Sequence, residues 1–168
     1  MHKRPLSLGC IETLTTQSAP LLSILEGMCG VGLKIRILAH GTETAGNICL
    51  QALDKHPKNL ELLEPINGNK ADIIKKSDVL IFTREPSMAD FRMIAAQNKI
   101  IITPSGGIIT DYDAQGEKGE GFTYTKGDRW GLFRAIIRAE ETRRFSYDWR
   151  GIQKRMKQFS VNHKLITQ

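Results

Sequence analysis

The chain has few of the residues that mark specialised chemistry. Its 168 residues include three cysteines, four histidines and two tryptophans, and no apolar run approaches the roughly 20 residues that a membrane-crossing helix needs. Met1-His2-Lys3-Arg4 is basic, but no apolar core of sufficient length follows it, so no secretory signal is expected. Cys10, Cys29 and Cys49 stand at wide, irregular spacing, which fits neither a disulfide framework nor a zinc pattern. They are expected to be reduced thiols of a cytoplasmic protein. His2, His40, His56 and His163 have no metal-ligand spacing and read as surface or loop histidines. No metal and no cofactor is expected. Internal repeats and low-complexity tracts are also missing.

The net charge of +6 is unevenly placed. Lys126 to Gln168 holds 11 Lys+Arg against 4 Asp+Glu, so the basicity belongs to the last quarter of the chain. No aromatic-basic interleaving accompanies it, so nucleic-acid binding is not expected. The length suits one domain, residues 1–168, with enough chain for a proper core.

The most legible stretch runs from Ser77 to Asp111. Asp78 to Phe82 is a short β-rich apolar run, too brief for a helix, and predicts a buried parallel strand. Thr83 and Arg84 leave it, and Glu85-Pro86 can open a helix, because proline is tolerated in the first turn. Phe91, Ile94 and Ala95 recur at helical spacing, and Asn98 marks the stop. Ile100 to Thr103 reads as a second buried strand, with Ser105-Gly106-Gly107 at its exit. Ligands bind outside the carboxyl ends of the strands in open α/β sheets, so this edge is the candidate site.

The remaining chain predicts the same alternation. Strands are expected at Leu6–Ile11, Leu33–Ala39, Leu60–Leu63 and Gly121–Thr125. Helices are expected at Gln17–Met28, Glu43–Lys55, Asn69–Lys76, Trp130–Phe145 and Tyr147–Gln158. Gly27, Gly30 and Gly32 follow the first helix rather than precede it, and read as a helix stop, not a dinucleotide fingerprint. Asp111 to Glu120 is polar and reads as a surface loop. The fold class is therefore α/β: a Rossmann-like, doubly wound parallel sheet with right-handed crossovers.

The order strand, Glu-Pro, helix, strand, Gly-Gly resembles the carboxyl-terminal nucleotide-sugar domain of bacterial glycogen and plant starch synthases, which are retaining GT-B glycosyltransferases. Their pattern is roughly SR-x-EPCG followed by P-x-x-x-x-TGGL. Here it stands as TREPSM and TPSGGI, followed by a Gly-Phe-x-Tyr strand, the helix LFRAIIRAEE and a late Phe-Ser. The resemblance covers about Pro5 to Val161 and implies one half of a GT-B fold, truncated relative to the two-domain enzymes. It implies Glu85 as the catalytic carboxylate facing the donor sugar. It implies a substrate-binding role for Ser87, Ser105, Gly106 and Gly107, the last three through small residues whose amides meet phosphates at a helix start. Partners implied are ADP-glucose or UDP-glucose and an acceptor domain supplied in trans. Glucosyl transfer is not expected from the chain alone.

The sequence departs from the pattern in two places. Ser87 stands for the family's cysteine and Met88 for its glycine, and methionine would crowd the ligand. The family's phosphate-neutralising Arg and Lys fall on Thr13 and Ser18 in one register and on Glu12 and Gln17 in the other. Neither register supplies a cation, which removes on the order of several kcal/mol of charge-assisted stabilisation. A glutamate there would repel a diphosphate. The alternative function is thus a degenerate, non-catalytic relative acting as a binding or protein-interaction module. Arg134, Arg138, Arg143, Arg144, Lys154, Arg155 and Lys157 are expected either to solvate two amphipathic helices or to form a docking face.

Overall fold

The computed structural model describes residues 4–166, with side chains to residue 162. His2 and the side chain of His163 lie outside the described residues. Six parallel strands form one sheet in the order β3-β2-β1-β4-β5-β6. They are β1 (Ser7–Cys10), β2 (Lys34–Leu38), β3 (Leu60–Leu63), β4 (Val79–Ile81), β5 (Ile100–Pro104) and β6 (Phe122–Tyr124). The helices are α1 (Ala19–Gly30), α2 (Glu43–Lys55), α3 (Asn69–Lys76), α4 (Met88–Ala96), α5 (Arg129–Arg143) and α6 (Ser146–Ile166).

The strands read as unbroken apolar runs because both faces of the sheet are covered. Successive side chains point to opposite faces, and the core divides accordingly. Leu8, Cys10, Val79, Ile81, Ile100 and Ile102 pack with α1, α2 and α5 on one side. Leu80, Phe82 and Ile101 pack with α3, α4 and Met156 of α6 on the other. Gly9 lies where α3 reaches β1: an added Cβ would stand 2.4 Å from Ser77 Oγ and 2.8 Å from Ile73. A side chain there would force the helix away from the strand.

Several sequence expectations need correction. Gly27 and Gly30 lie inside α1, and Gly32, at φ 88°, alone makes the left-handed turn that stops it. The helix after β4 does not open at Glu85-Pro86. It begins at Met88, because Ser87 is its N-cap and accepts from the Asp90 amide at 3.1 Å. Met88 does not stand free at the ligand edge; it packs with Ile108 against the second half of the core. The segment after β5 is a turn, with Gly106 at φ 90°, and not a helix start. That removes the helix dipole from the anion-binding argument for Ser105–Gly107. The terminal helix runs well past Gln158 and packs on α4, where Phe159 meets Phe91 edge-on at 5.7 Å.

The arginines of α5 and α6 are not a uniformly solvated face. Arg138 donates to Asp111 at 3.1 Å and to the Tyr112 carbonyl at 2.9 Å, and its guanidinium covers the Phe122 ring. Arg143 is largely buried, 3.6 Å from Asp78 and 3.3 Å from Glu140, and also donates to the Arg4 carbonyl. Arg155 donates to the Gly119 carbonyl at 2.8 Å. These residues tie the tail helices to the body of the fold.

Candidate functional site

The strand order reverses between β1 and β4, so their carboxyl ends part and leave a crevice. Glu12, just past β1, turns into it and is buried. Its Oε1 accepts from the Thr83 amide at 2.9 Å, and the Thr83 hydroxyl donates to the same oxygen. Its Oε2 is buried without a hydrogen-bond partner among the described residues and lies 3.8 Å from Arg84 Nε. Arg84 in turn donates to the Thr13 carbonyl at 3.2 Å, bridging the two strand exits. Burial pushes the Glu12 carboxyl above the usual range, while the Thr83 hydrogen bonds and the Arg84 charge pull the other way. Tyr124 closes the crevice from β6: its hydroxyl donates to the Phe82 carbonyl at 2.8 Å, and burial raises its pKa.

One strand further on, Glu85 reaches from the β4 exit to the β5 exit. Its carboxylate accepts from the Ile108 amide at 2.8 Å and lies flat against Gly107, where a Cβ would come within 2.8 Å of it. Glu85 stands three residues before α4 begins, so it does not serve as a helix-initiating residue. Ser105 gives its amide to the Tyr124 carbonyl at 2.8 Å, which leaves only its side chain for a ligand. The amide of Gly106 donates to no group among the described residues, and Gly106 and Gly107 are both exposed. Ser87 is also exposed, but its hydroxyl oxygen is occupied as the cap of α4.

The fold thus brings Glu85, Gly106 and Gly107 together at the carboxyl edge and places Ser105 and Ser87 beside them with their polar groups partly committed. Here an exposed carboxylate can accept from hydroxyls while the free amide of Gly106 beside it donates to an anion. Sequence reasoning missed the Glu12–Thr83–Arg84 arrangement. The arrangement depends on β4 lying beside β1, which no spacing in the chain carries. Among the described residues no group of His, Cys, Asp and Glu could hold a metal ion, and no helix is long and apolar enough to cross a membrane.

A six-stranded parallel sheet in this order, wound with helices on both faces, is the architecture of one half of a GT-B glycosyltransferase. The chain superposes on the catalytic domain of starch synthase IV from Arabidopsis thaliana, a structure bound to ADP and acarbose, with a TM-score of 0.77 at 19% identity, over 99% of this chain and 37% of that one. HepE from Anabaena, in complex with UDP, gives 0.66 at 14% identity over 98% of this chain and 48% of that one. The isolated C-terminal domain of the group 1 glycosyl transferase LpcC from Francisella tularensis gives 0.68 at 8% identity, over 94% and 85%. The chain therefore spans less than half of the first two proteins and most of the isolated domain. No family model and no curated relative matches the sequence.

Proposed function

We propose that this chain is the nucleotide-sugar-binding domain of a GT-B glycosyltransferase and acts with an acceptor domain in trans. The observation that carries this reading is the Glu85 carboxylate, held by the Ile108 amide beside Gly107 and the free amide of Gly106. That edge of a doubly wound sheet is where ligands bind, and the solved structures of the same fold include complexes with ADP and with UDP. In this reading Glu85 faces the donor sugar, and the Ser105–Gly107 turn meets its phosphates. The donor is ADP-glucose or UDP-glucose, and the setting is cytoplasmic.

Titration calorimetry of the full chain with ADP, ADP-glucose and UDP-glucose tests this directly. Saturable binding of one of the sugar nucleotides, weakened by Glu85→Ala, is the expected result. Glucosyl transfer by the chain alone is not expected, because the acceptor side of the reaction is not part of this domain.

One observation favours a second reading, in which the domain is a non-catalytic binding or interaction module. At the β1 exit, where a GT-B enzyme of the starch synthase kind is expected to keep a phosphate-binding cation, this chain has the buried Glu12. Transfer requires stabilising the charge that develops on the leaving diphosphate. Failure of all three nucleotides to bind would favour this module.

A further inference from the structure

We propose that the cleft between the β1–α1 loop and the β6–α5 loop binds the diphosphate of the donor, with Lys126 and Arg129 supplying the positive charge that the β1–α1 loop lacks. The inference rests on the nucleotide-sugar reading for the identity of the ligand, but not for the chemistry of the cleft. Thr16 and Gln17 line it from the β1 exit, Thr83 from the β4 exit, and Lys126, Gly127 and Arg129 from the β6 exit. Its volume of about 380 Å³ lies within the usual range for small-ligand sites, about 300–1,000 Å³.

The lining carries two cations and no carboxylate. Lys126 and Arg129 are both exposed and form no ion pair among the described residues. Arg129 lies over the ring of its neighbour Trp130, 5.3 Å from the centroid, which leaves its outer N–H groups available. The nearest acid in sequence, Asp128, is committed elsewhere: it caps α5 and accepts from the Trp130 amide at 3.0 Å. The floor is firm, because Thr83 is tied to buried Glu12 through both its amide and its hydroxyl.

Thr83 of this cleft is two residues before Glu85 of the proposed sugar site. A ligand with its sugar at Glu85 and the sugar-proximal phosphate at the Ser105–Gly107 turn would carry its second phosphate over Thr83 toward these cations. The family's pattern places cations on the first loop; this fold offers them from the last strand exit. Cationic hydrogen bonds to phosphate are among the stronger polar contacts, so two of them can replace what the first loop has lost.

The test is calorimetric titration of the full chain and of the Lys126→Gln/Arg129→Gln variant with ADP, UDP and inorganic pyrophosphate. The expected result is at least about tenfold weaker binding of ADP or UDP by the variant. Wild-type binding should itself weaken as salt rises from 0.1 to 1 M, where the Debye length falls from about 10 to about 3 Å. The melting temperature of the variant should not change, since both side chains are exposed. If the double variant does not fold, the two single variants replace it, each expected about threefold weaker.

Nucleotide binding that the variant leaves intact would overturn the inference while the nucleotide-sugar reading stands. Binding of pyrophosphate alone, lost in the variant, would support a diphosphate cleft and remove the nucleotide-sugar reading. No binding of any of the three overturns both.

Discussion

The Glu85 carboxylate rests on Gly107, and a methyl group at that glycine would stand 2.8 Å from the carboxyl carbon. Gly107→Ala should therefore push Glu85 off the Ile108 amide. Because Glu85 is exposed, the side chain can swing into solvent, and stability should change by less than about 0.5 kcal/mol. Amide exchange at Ile108 should accelerate in Gly107→Ala and in Glu85→Ala alike, as read by NMR. Binding of ADP-glucose or UDP-glucose should weaken about tenfold in both if Glu85 faces the sugar. An unchanged Ile108 exchange rate would show that the two strand exits are not coupled.

Glu12 makes a signed prediction about pH. Burial raises its carboxyl above the unfolded value, so between those two values the native state holds a proton that the unfolded state has lost. That contribution is fully present below about 4.3, the ordinary glutamate value, and is lost as pH rises through the raised native value. Glu12→Gln cannot ionise. The urea midpoint of the variant should gain on the wild type as pH rises from 4 to 8. A variant that loses ground over that window would show that Thr83 and Arg84 outweigh burial.

Arg143 separates the tied arginines from the solvated ones. It lies among Asp78, Glu140 and the Arg4 carbonyl. Asp78 is itself shared with Arg4, at 2.6 and 2.9 Å, and with the Ser7 amide at 3.0 Å. Arg143→Gln should cost about 1–3 kcal/mol, the cost of leaving part-buried charged groups underpaired. Lys157→Gln, on the exposed side of α6, should stay within about 0.5 kcal/mol. Chemical denaturation of the two variants side by side checks both.

Cys10, Cys29 and Cys49 are all free and buried. Burial pushes all three thiols up, Cys49 to about 11. The thiolate is the reactive form, so the native protein should react negligibly with a disulfide reagent at pH 8. Three thiols should appear together when the protein unfolds in urea. Rapid reaction of one of them in the native state would mark a local opening of α1 or α2.

Strand and helix positions were legible in the sequence because burial on both faces leaves long apolar runs that stop at polar exits. Ile100 to Thr103, Leu60 to Leu63 and Glu43 to Lys55 could be read almost to the residue. So could Glu85 and Gly106-Gly107 as strand-exit residues of one neighbourhood. Local chemistry corrected the rest. Ser87, a better cap than Glu85, moved the start of α4, and the glycines after β5 made a turn instead of opening a helix.

Which exits face each other is a long-range property, and no spacing in the chain carries it. Glu12 and Thr83 are 71 residues apart, and only the pairing of β1 with β4 makes them partners. Arg143 and Arg4 are 139 apart. Lys126 and Arg129 are one stretch of a basic tail in sequence, and only the packing of α5 on α1 sets them across from Thr16 and Gln17. Sequence determined the elements, because each depends on its own apolar pattern. The tertiary structure decided the site, because charge and burial at a sheet edge are set by strands that are neighbours in space.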